Sequence, residues 1–277
     1  MNRGFITSAN TKTEQKAAAT LANSIKIHNP NASVTLVIDK LVNIDSKFEA
    51  AFDYIVELPN KSAKELRAND WQLYYTSPYD NSIFIHHSTI VCQNLDSAFD
   101  FFEHSYNVCF LTSESRFNYD TITKLDGYYE DNNLLKPSTT MFYFNKSDAS
   151  LEYFKIAEPI MQNWQQSQTE ILTNKKHIKK YYDPSQMHSI VINCFQQPND
   201  YLITNHQPVT VIDMTYETYS QRSIANSGSN DWVNYLNCWI YPNYKVKIQN
   251  FNINSIFYYD NINFLTDEIY ATYNKEI

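Results

Sequence analysis

The residues best able to do chemistry fall in a few places. The apolar run Asn81 to Ile85 leads directly into His86, His87 and Ser88. Imidazoles at a strand end can take up or release protons near neutral pH and can ligate metals. Consecutive strand residues point to opposite faces, so only one of the pair meets a given ligand unless the strand has already ended. Asp183 and His188 stand five residues apart at the start of an apolar helical stretch, a spacing open to an acid–base or acceptor-binding pair. Arg67, with Lys64 nearby, offers a cation for a phosphate group, or else an exposed helix face. The segment Asn174 to Tyr182 concentrates Lys175, Lys176, Lys179 and Lys180 among aromatic neighbours. It reads either as a phosphate-contacting patch or as a solvated helix face. Trp71 and Tyr74 read as core, and Asp96 and Asp100 as a helix start and its solvated face.

Composition removes several classes of function. The 277 residues include only three glycines, Gly4, Gly127 and Gly228. Phosphate-cradling loops need several glycines at fixed spacing, so dinucleotide-binding and P-loop readings are excluded. A net charge of −8 argues against a broad nucleic-acid face. Cys92, Cys109, Cys194 and Cys238 show no metal-binding spacing and each sits in an apolar run, which predicts small buried hydrophobes. Free thiols imply a reducing, cytoplasmic setting. No apolar leader is evident near the first residue, and no run of 18 apolar residues exists, so neither a signal peptide nor a membrane span is expected.

The elements that must position these residues alternate in type. Strands are predicted at Gly4 to Thr7, Ser33 to Asp39, Phe52 to Leu58, Asn81 to His87 and Asn107 to Ser113. The second and third read as buried runs. Helices are predicted after Thr11 up to Asn29-Pro30, from Ala63 to Thr76, and from Asp96 or Ser97. Asn10 or Thr11 is the expected cap of the first. Such alternation means parallel pairing with right-handed crossovers. Beyond Thr139 come one strand and helices at 149–164, 168–181 and 186–195. Short strands "PVTVIDM" and "YKVKIQNF" and a last helix from Phe264 follow. Ligands of open parallel sheets bind beyond the strand carboxyl ends. Here those ends are Thr7-Ser8-Ala9 with Asn10, Asp39, His86-His87-Ser88, and Thr112-Ser113-Glu114.

Three segments carry a resemblance. They are "RGFITSANTKTEQKAAATLANSIKIHNPNASVTLVID", "NDWQLYYTSPYDNSIFIHHSTIVCQNLDSAFDFF" and "DWVNYLNCWIYPNYKVKIQNFNINSIFYYDNINFLTDEI", about half the chain from end to end. Their order resembles the GT-A glycosyltransferases, and most of all small retaining-type, family 8-like members from marine phages. The resemblance implies an α/β, Rossmann-like, mixed and mostly parallel sheet flanked by helices in a single domain. Residues 1–120 would form the nucleotide-sugar half, and 121–277 the acceptor half with a closing C-terminal segment. It also implies glycosyl transfer from a nucleotide sugar, UDP-linked, to an acceptor such as the modified DNA of a phage. The cytoplasm, the host's if the chain is phage-encoded, would be its location, with no membrane partner.

In that family Asp-x-Asp follows the fourth strand and holds a divalent metal against the diphosphate. Here "IFIHHST" puts His86 and Ser88 in its place, a degenerate motif. The family's C-terminal metal-binding His corresponds to Tyr258, with Asp260 beside it in "IFYYDN". The resemblance therefore leaves three readings. One is a metal-independent enzyme using His86, His87 or cationic side chains. A second uses Mn²⁺ or Mg²⁺ at a site rebuilt from His86 and Asp260. The third is a non-catalytic binding scaffold. By the same resemblance Thr7, Ser8, Ala9, Asn10, Asp39, Arg67, His87 and Ser88 line the nucleotide-sugar pocket, and His86, Asp183 and His188 serve the reaction.

Overall fold

The computed structural model describes residues 2–40, 42–60, 66–112, 114–122, 127–203, 209–214, 233, 236–259 and 262–274. Its first strands are β1 (Arg3–Ser8), β2 (Val34–Ile38), β3 (Tyr54–Glu57), β4 (Asn81–Ile85), β5 (Thr89–Val91) and β6 (Val108–Leu111). Then come β7 (Ser138–Asn145), β8 (Leu202–Ile203), β9 (Val211–Asp213), β10 (Cys238–Ile240), β11 (Val246–Ile248), β12 (Phe251–Ile253) and β13 (Ile256–Tyr258). The main sheet has seven strands in the order β3-β2-β1-β4-β7-β6-β8. The first four are mutually parallel, whereas β7 runs antiparallel to both β4 and β6. The expected parallel α/β sheet is present, with one departure. A strand from the second half of the chain separates β4 from β6.

Strand alternation divides the core between the two sheet faces. Phe5, Leu36, Ile83, Ile85 and Met141 pack on one face with helices α1 (Lys12–His28), α2 (Ser46–Glu49) and α4 (Asp96–Ser105). Ile6, Val37, Phe84, Phe110 and Phe142 pack on the other. There they meet a 3₁₀ turn (Leu66–Gln72) that runs into α3 (Leu73–Thr76), and beyond it α6 (Asp148–Gln162) and α8 (Pro184–Asn193). Between these lie α5 (Gly127–Glu130) and α7 (Trp164–Ile171), and α9 (Asp267–Tyr273) follows the last strand. Two three-stranded sheets, β5-β13-β9 and β10-β11-β12, complete the fold.

Local chemistry explains most element ends. Thr11 caps α1 through a capping box, its side chain accepting from Glu14 N–H while the Glu14 carboxylate accepts from Thr11 N–H. Asn29 closes the helix, as expected from Asn29-Pro30. Several boundaries differ from the sequence expectation. β3 is half-exposed because it forms the edge of the sheet. The predicted helix 168–181 ends at Ile171, and only a 3₁₀ turn, Lys175–His177, follows. "YKVKIQNF" is a hairpin of β11 and β12, turned at Gln249, whose φ is 53°. Cys109 is buried as expected, but Cys194 is exposed at the end of α8.

Gly4 is required by a close approach. It lies in β1, and a Cβ there would overlap the ring of Tyr79. Tyr79 is buried, and its hydroxyl is bonded by Ser33 at 2.9 Å and Thr35 at 2.8 Å, so the ring cannot withdraw without breaking both bonds. Gly4→Ala is expected to lower stability by about 2 kcal/mol. Adding Tyr79→Ala should make the two changes strongly non-additive in a urea-unfolding double-mutant cycle, because the cavity relieves the overlap.

Candidate active site

The carboxyl ends of β1, β2 and β4 converge, and the chain ties them together. Asn10 accepts a hydrogen bond from Asp39 N–H at 2.9 Å, joining the ends of β1 and β2. Ala9 N–H donates to the Val37 carbonyl at 3.1 Å. Thr7, Ser8, Ala9 and Asp39 are all buried, and the Thr7 hydroxyl has no partner. These residues therefore form a rigid floor at the strand ends. Asn10 does not cap α1; it braces the floor.

β4 ends at Ile85, so His86 and His87 follow the strand and are freed from its alternation. Their rings come together, with centroids 4.2 Å apart. His87 Nδ1 lies 2.9 Å from the Ser8 carbonyl. A carbonyl only accepts, so Nδ1 carries the proton and Nε2 keeps a free lone pair. Ser88 N–H donates to His86 Nδ1 at 3.2 Å, so neutral His86 carries its proton on Nε2. Burial, with lesser contributions from His87 and Arg67, holds His86 well below the usual histidine pKa. Burial lowers His87 as well, against the opposing effects of Glu14 and the Ser8 carbonyl.

The antiparallel course of β7 brings its first residues to the same edge. His86 N–H donates to the Thr140 carbonyl at 2.8 Å. Glu114, just past β6, accepts from the Ser138 hydroxyl at 2.5 Å and from Thr140 at 3.3 Å. Arg67 reaches this edge from the 3₁₀ turn. Its Nε donates to Asp70 Oδ2 at 2.6 Å, a terminal nitrogen reaches the Thr139 carbonyl at 3.4 Å, and its guanidinium lies 4.6 Å over the Phe84 ring. Its charge helps lower both His86 and His87. Arg67 is therefore a pinned cation and not a mobile surface side chain.

Asp183 and His188 do not form the expected pair. Asp183 caps α8, accepting from Gln186 N–H, and holds Lys179 at 3.0 Å. His188 is fully buried against Phe110 and Phe142, with Nδ1 2.7 Å from the Tyr153 hydroxyl. Its Nε2 lies 3.8 Å from Asp70, too far for a hydrogen bond. Helical periodicity turns residue 188 into the core, away from its own cap. Asp70, Glu14, Glu114 and the Ser138–Thr140 run are the members of this edge that motif reasoning missed or only brushed. A clue existed in the polar run that opens the otherwise largely apolar β7.

Among the lysines, Lys176 pairs with Asp131 at 2.9 Å and Lys179 with Asp183, while Lys175 and Lys180 are exposed. Lys64 and Asp260 lie outside the described residues. Tyr258 stands beside His86, with ring centroids 5.4 Å apart, because β13 pairs with β5 and Tyr259 N–H bonds the Ser88 carbonyl. This strand of the C-terminal part thus reaches the end of β4.

Among the described residues the donor set fits a divalent metal poorly. No group of three His, Cys, Asp or Glu side chains able to hold a metal gathers among the described residues. His86 spends its lone pair on Ser88 N–H, so the free imidazole nitrogen belongs to His87, not to His86. Hard cations take oxygen ligands in preference to a lone imidazole.

The architecture is that of the GT-A glycosyltransferases. It is similar to the galactosyltransferase LgtC in complex with donor and acceptor sugar analogues, with a TM-score of 0.51 and 10% identity over 93% of this chain and 87% of that one. It is also similar to mouse xyloside xylosyltransferase 1 in its apo form, with a TM-score of 0.50 and 8% identity over 94% and 98%. No protein-family model and no curated protein sequence matches the chain. No helix among the described residues is long and apolar enough to cross a membrane.

The depressed histidines set a pH dependence. A histidine harder to protonate when folded leaves the unfolded chain binding more protons, so stability rises with pH up to the ordinary histidine range. Urea unfolding at about pH 5.0 should show lower stability than at about pH 7.5. His86→Gln with His87→Gln should reduce that difference, the remainder coming from His28 and His188, which burial also lowers.

Proposed function

We propose that the chain transfers a glycosyl group from a nucleotide sugar, UDP-linked, to an acceptor hydroxyl, and that Arg67 supplies the charge that a metal supplies elsewhere in this fold. The observation that carries the proposal is the pinned guanidinium beside His86 and His87, at the convergent strand ends of a GT-A sheet. Strand carboxyl ends are where such sheets receive ligands. A guanidinium offers a planar fork of donors that matches phosphate oxygens and keeps its charge at all working pH values.

In this reading the floor of Thr7, Ser8, Ala9, Asn10 and Asp39 receives the nucleoside, with His87 and Ser88 beside the donor. Arg67 and the Nε2–H of His86 stabilise the leaving diphosphate as the bond to the sugar's anomeric carbon breaks. The acceptor oxygen bonds that carbon from the same face, giving retention, and its proton passes to the departing phosphate oxygen. Asp183 keeps a role in holding α8 and Lys179. His188 packs beneath the site, bonded to the Tyr153 hydroxyl. Modified DNA as acceptor would have to meet the segment of Lys175, Lys176, Lys179 and Lys180. Acidic partners on two of these lysines reduce the field it can offer.

Thermal unfolding with UDP, UDP-glucose and UDP-galactose, each with and without Mn²⁺, tests the proposal. Ligand at about 100 times its Kd should add about 2.7 kcal/mol of stability without metal. Arg67→Met alone would strand Asp70 as a buried, unpaired charge. The informative variant is therefore Arg67→Met with Asp70→Asn, which should weaken UDP binding by roughly tenfold or more. Stabilisation that requires Mn²⁺ would replace Arg67 by a rebuilt metal site. No response to any nucleotide sugar would favour a non-catalytic scaffold.

A further inference from the structure

A second concave site lies at the other end of β6. A cavity of about 810 Å³ opens where the first residues of β6 meet α6 and the chain that follows α8. The strand-end site is built beyond the last residue of β6, so the two sites occupy opposite edges of the main sheet.

The cavity joins fixed aromatic surface to free polar side chains. Tyr201 and Phe195 form part of its wall, with ring centroids 4.6 Å apart. Both lean on Tyr153, which is fully buried and stacks on Phe195 at an interplanar angle of 8°. Tyr106 adds a third half-buried ring. Glu152 and Asp200 are close enough to raise the Tyr201 phenol, after burial, and neither carboxylate makes an ion pair among the described residues. Gln197 brings an exposed amide to the same rim.

We propose that this cavity binds a neutral oligosaccharide, at a site separate from the transfer cleft. Ring faces held rigidly by a buried neighbour give a flat apolar surface at little entropic cost. Sugar hydroxyls both donate and accept, which suits a rim of acceptor-only carboxylates and an amide that does both. A simple organic cation would use the carboxylates and rings but leave the amide donors idle. An acyl chain would leave the carboxylates unsolvated. The site would hold a saccharide chain against the protein independently of the donor.

Saturation-transfer difference NMR on the full chain, with maltotriose, cellotriose and chitotriose as probes and spermidine as a cation control, tests this. Binding of at least one trisaccharide, undisturbed by UDP-glucose, is expected. Tyr201→Ala should weaken it by roughly tenfold. Glu152→Gln with Asp200→Asn, at exposed positions, should weaken it by about fivefold without changing Tm. The proposal is overturned if no trisaccharide binds, if only spermidine binds, if UDP-glucose displaces the sugar, or if neither variant alters affinity.

Discussion

The antiparallel placement of β7 between β4 and β6 is the constraint on which the candidate site rests. A parallel neighbour would bring its own carboxyl end to the cleft. β7 instead brings its amino end, so Ser138, Thr139 and Thr140 stand beside the last residue of β4. Their carbonyls and hydroxyls then hold His86, Arg67 and Glu114. Backbone groups at a strand end need partners once the ladder stops. Here those needs are met by side chains and loop backbone that also shape the cleft.

Charge at the site is arranged around one pair. Arg67 and Asp70 are both nearly buried, and each would be costly alone. Together they set a guanidinium against Phe84, close to two imidazoles that burial keeps neutral. The positive field is therefore concentrated on Arg67 instead of being shared with protonated histidines. This arrangement is economical in a chain whose net charge is −8. Leaving-group stabilisation depends on a pre-oriented charge in a partly dry cleft more than on total charge.

Opposite edges of the main sheet thus carry different chemistry. The strand carboxyl ends gather a cation, imidazoles and buried hydroxyls. The far end of β6 gathers aromatic faces and carboxylates. Both are supported by the same core, since Phe110 packs on Phe142 beneath the cleft and on Tyr153 toward the second cavity. A packed core of this kind gives both sites rigid backing.

Local pattern alone determined the alternation of strands and helices in the first half, the Asn29 stop of α1, and the position of His86 and His87 past an apolar strand, and it narrowed the cap of α1 to Asn10 or Thr11, because these depend on residues within a few positions of one another. Only the tertiary structure decided the partners. It put β7 between β4 and β6, turned His188 into the core toward Tyr153 and Asp70, and set Asp183 on Lys179. It also showed that both imidazoles leave the strand's alternation, and that one of them has already committed its lone pair. Those outcomes depend on contacts between residues tens of positions apart, which no local spacing encodes.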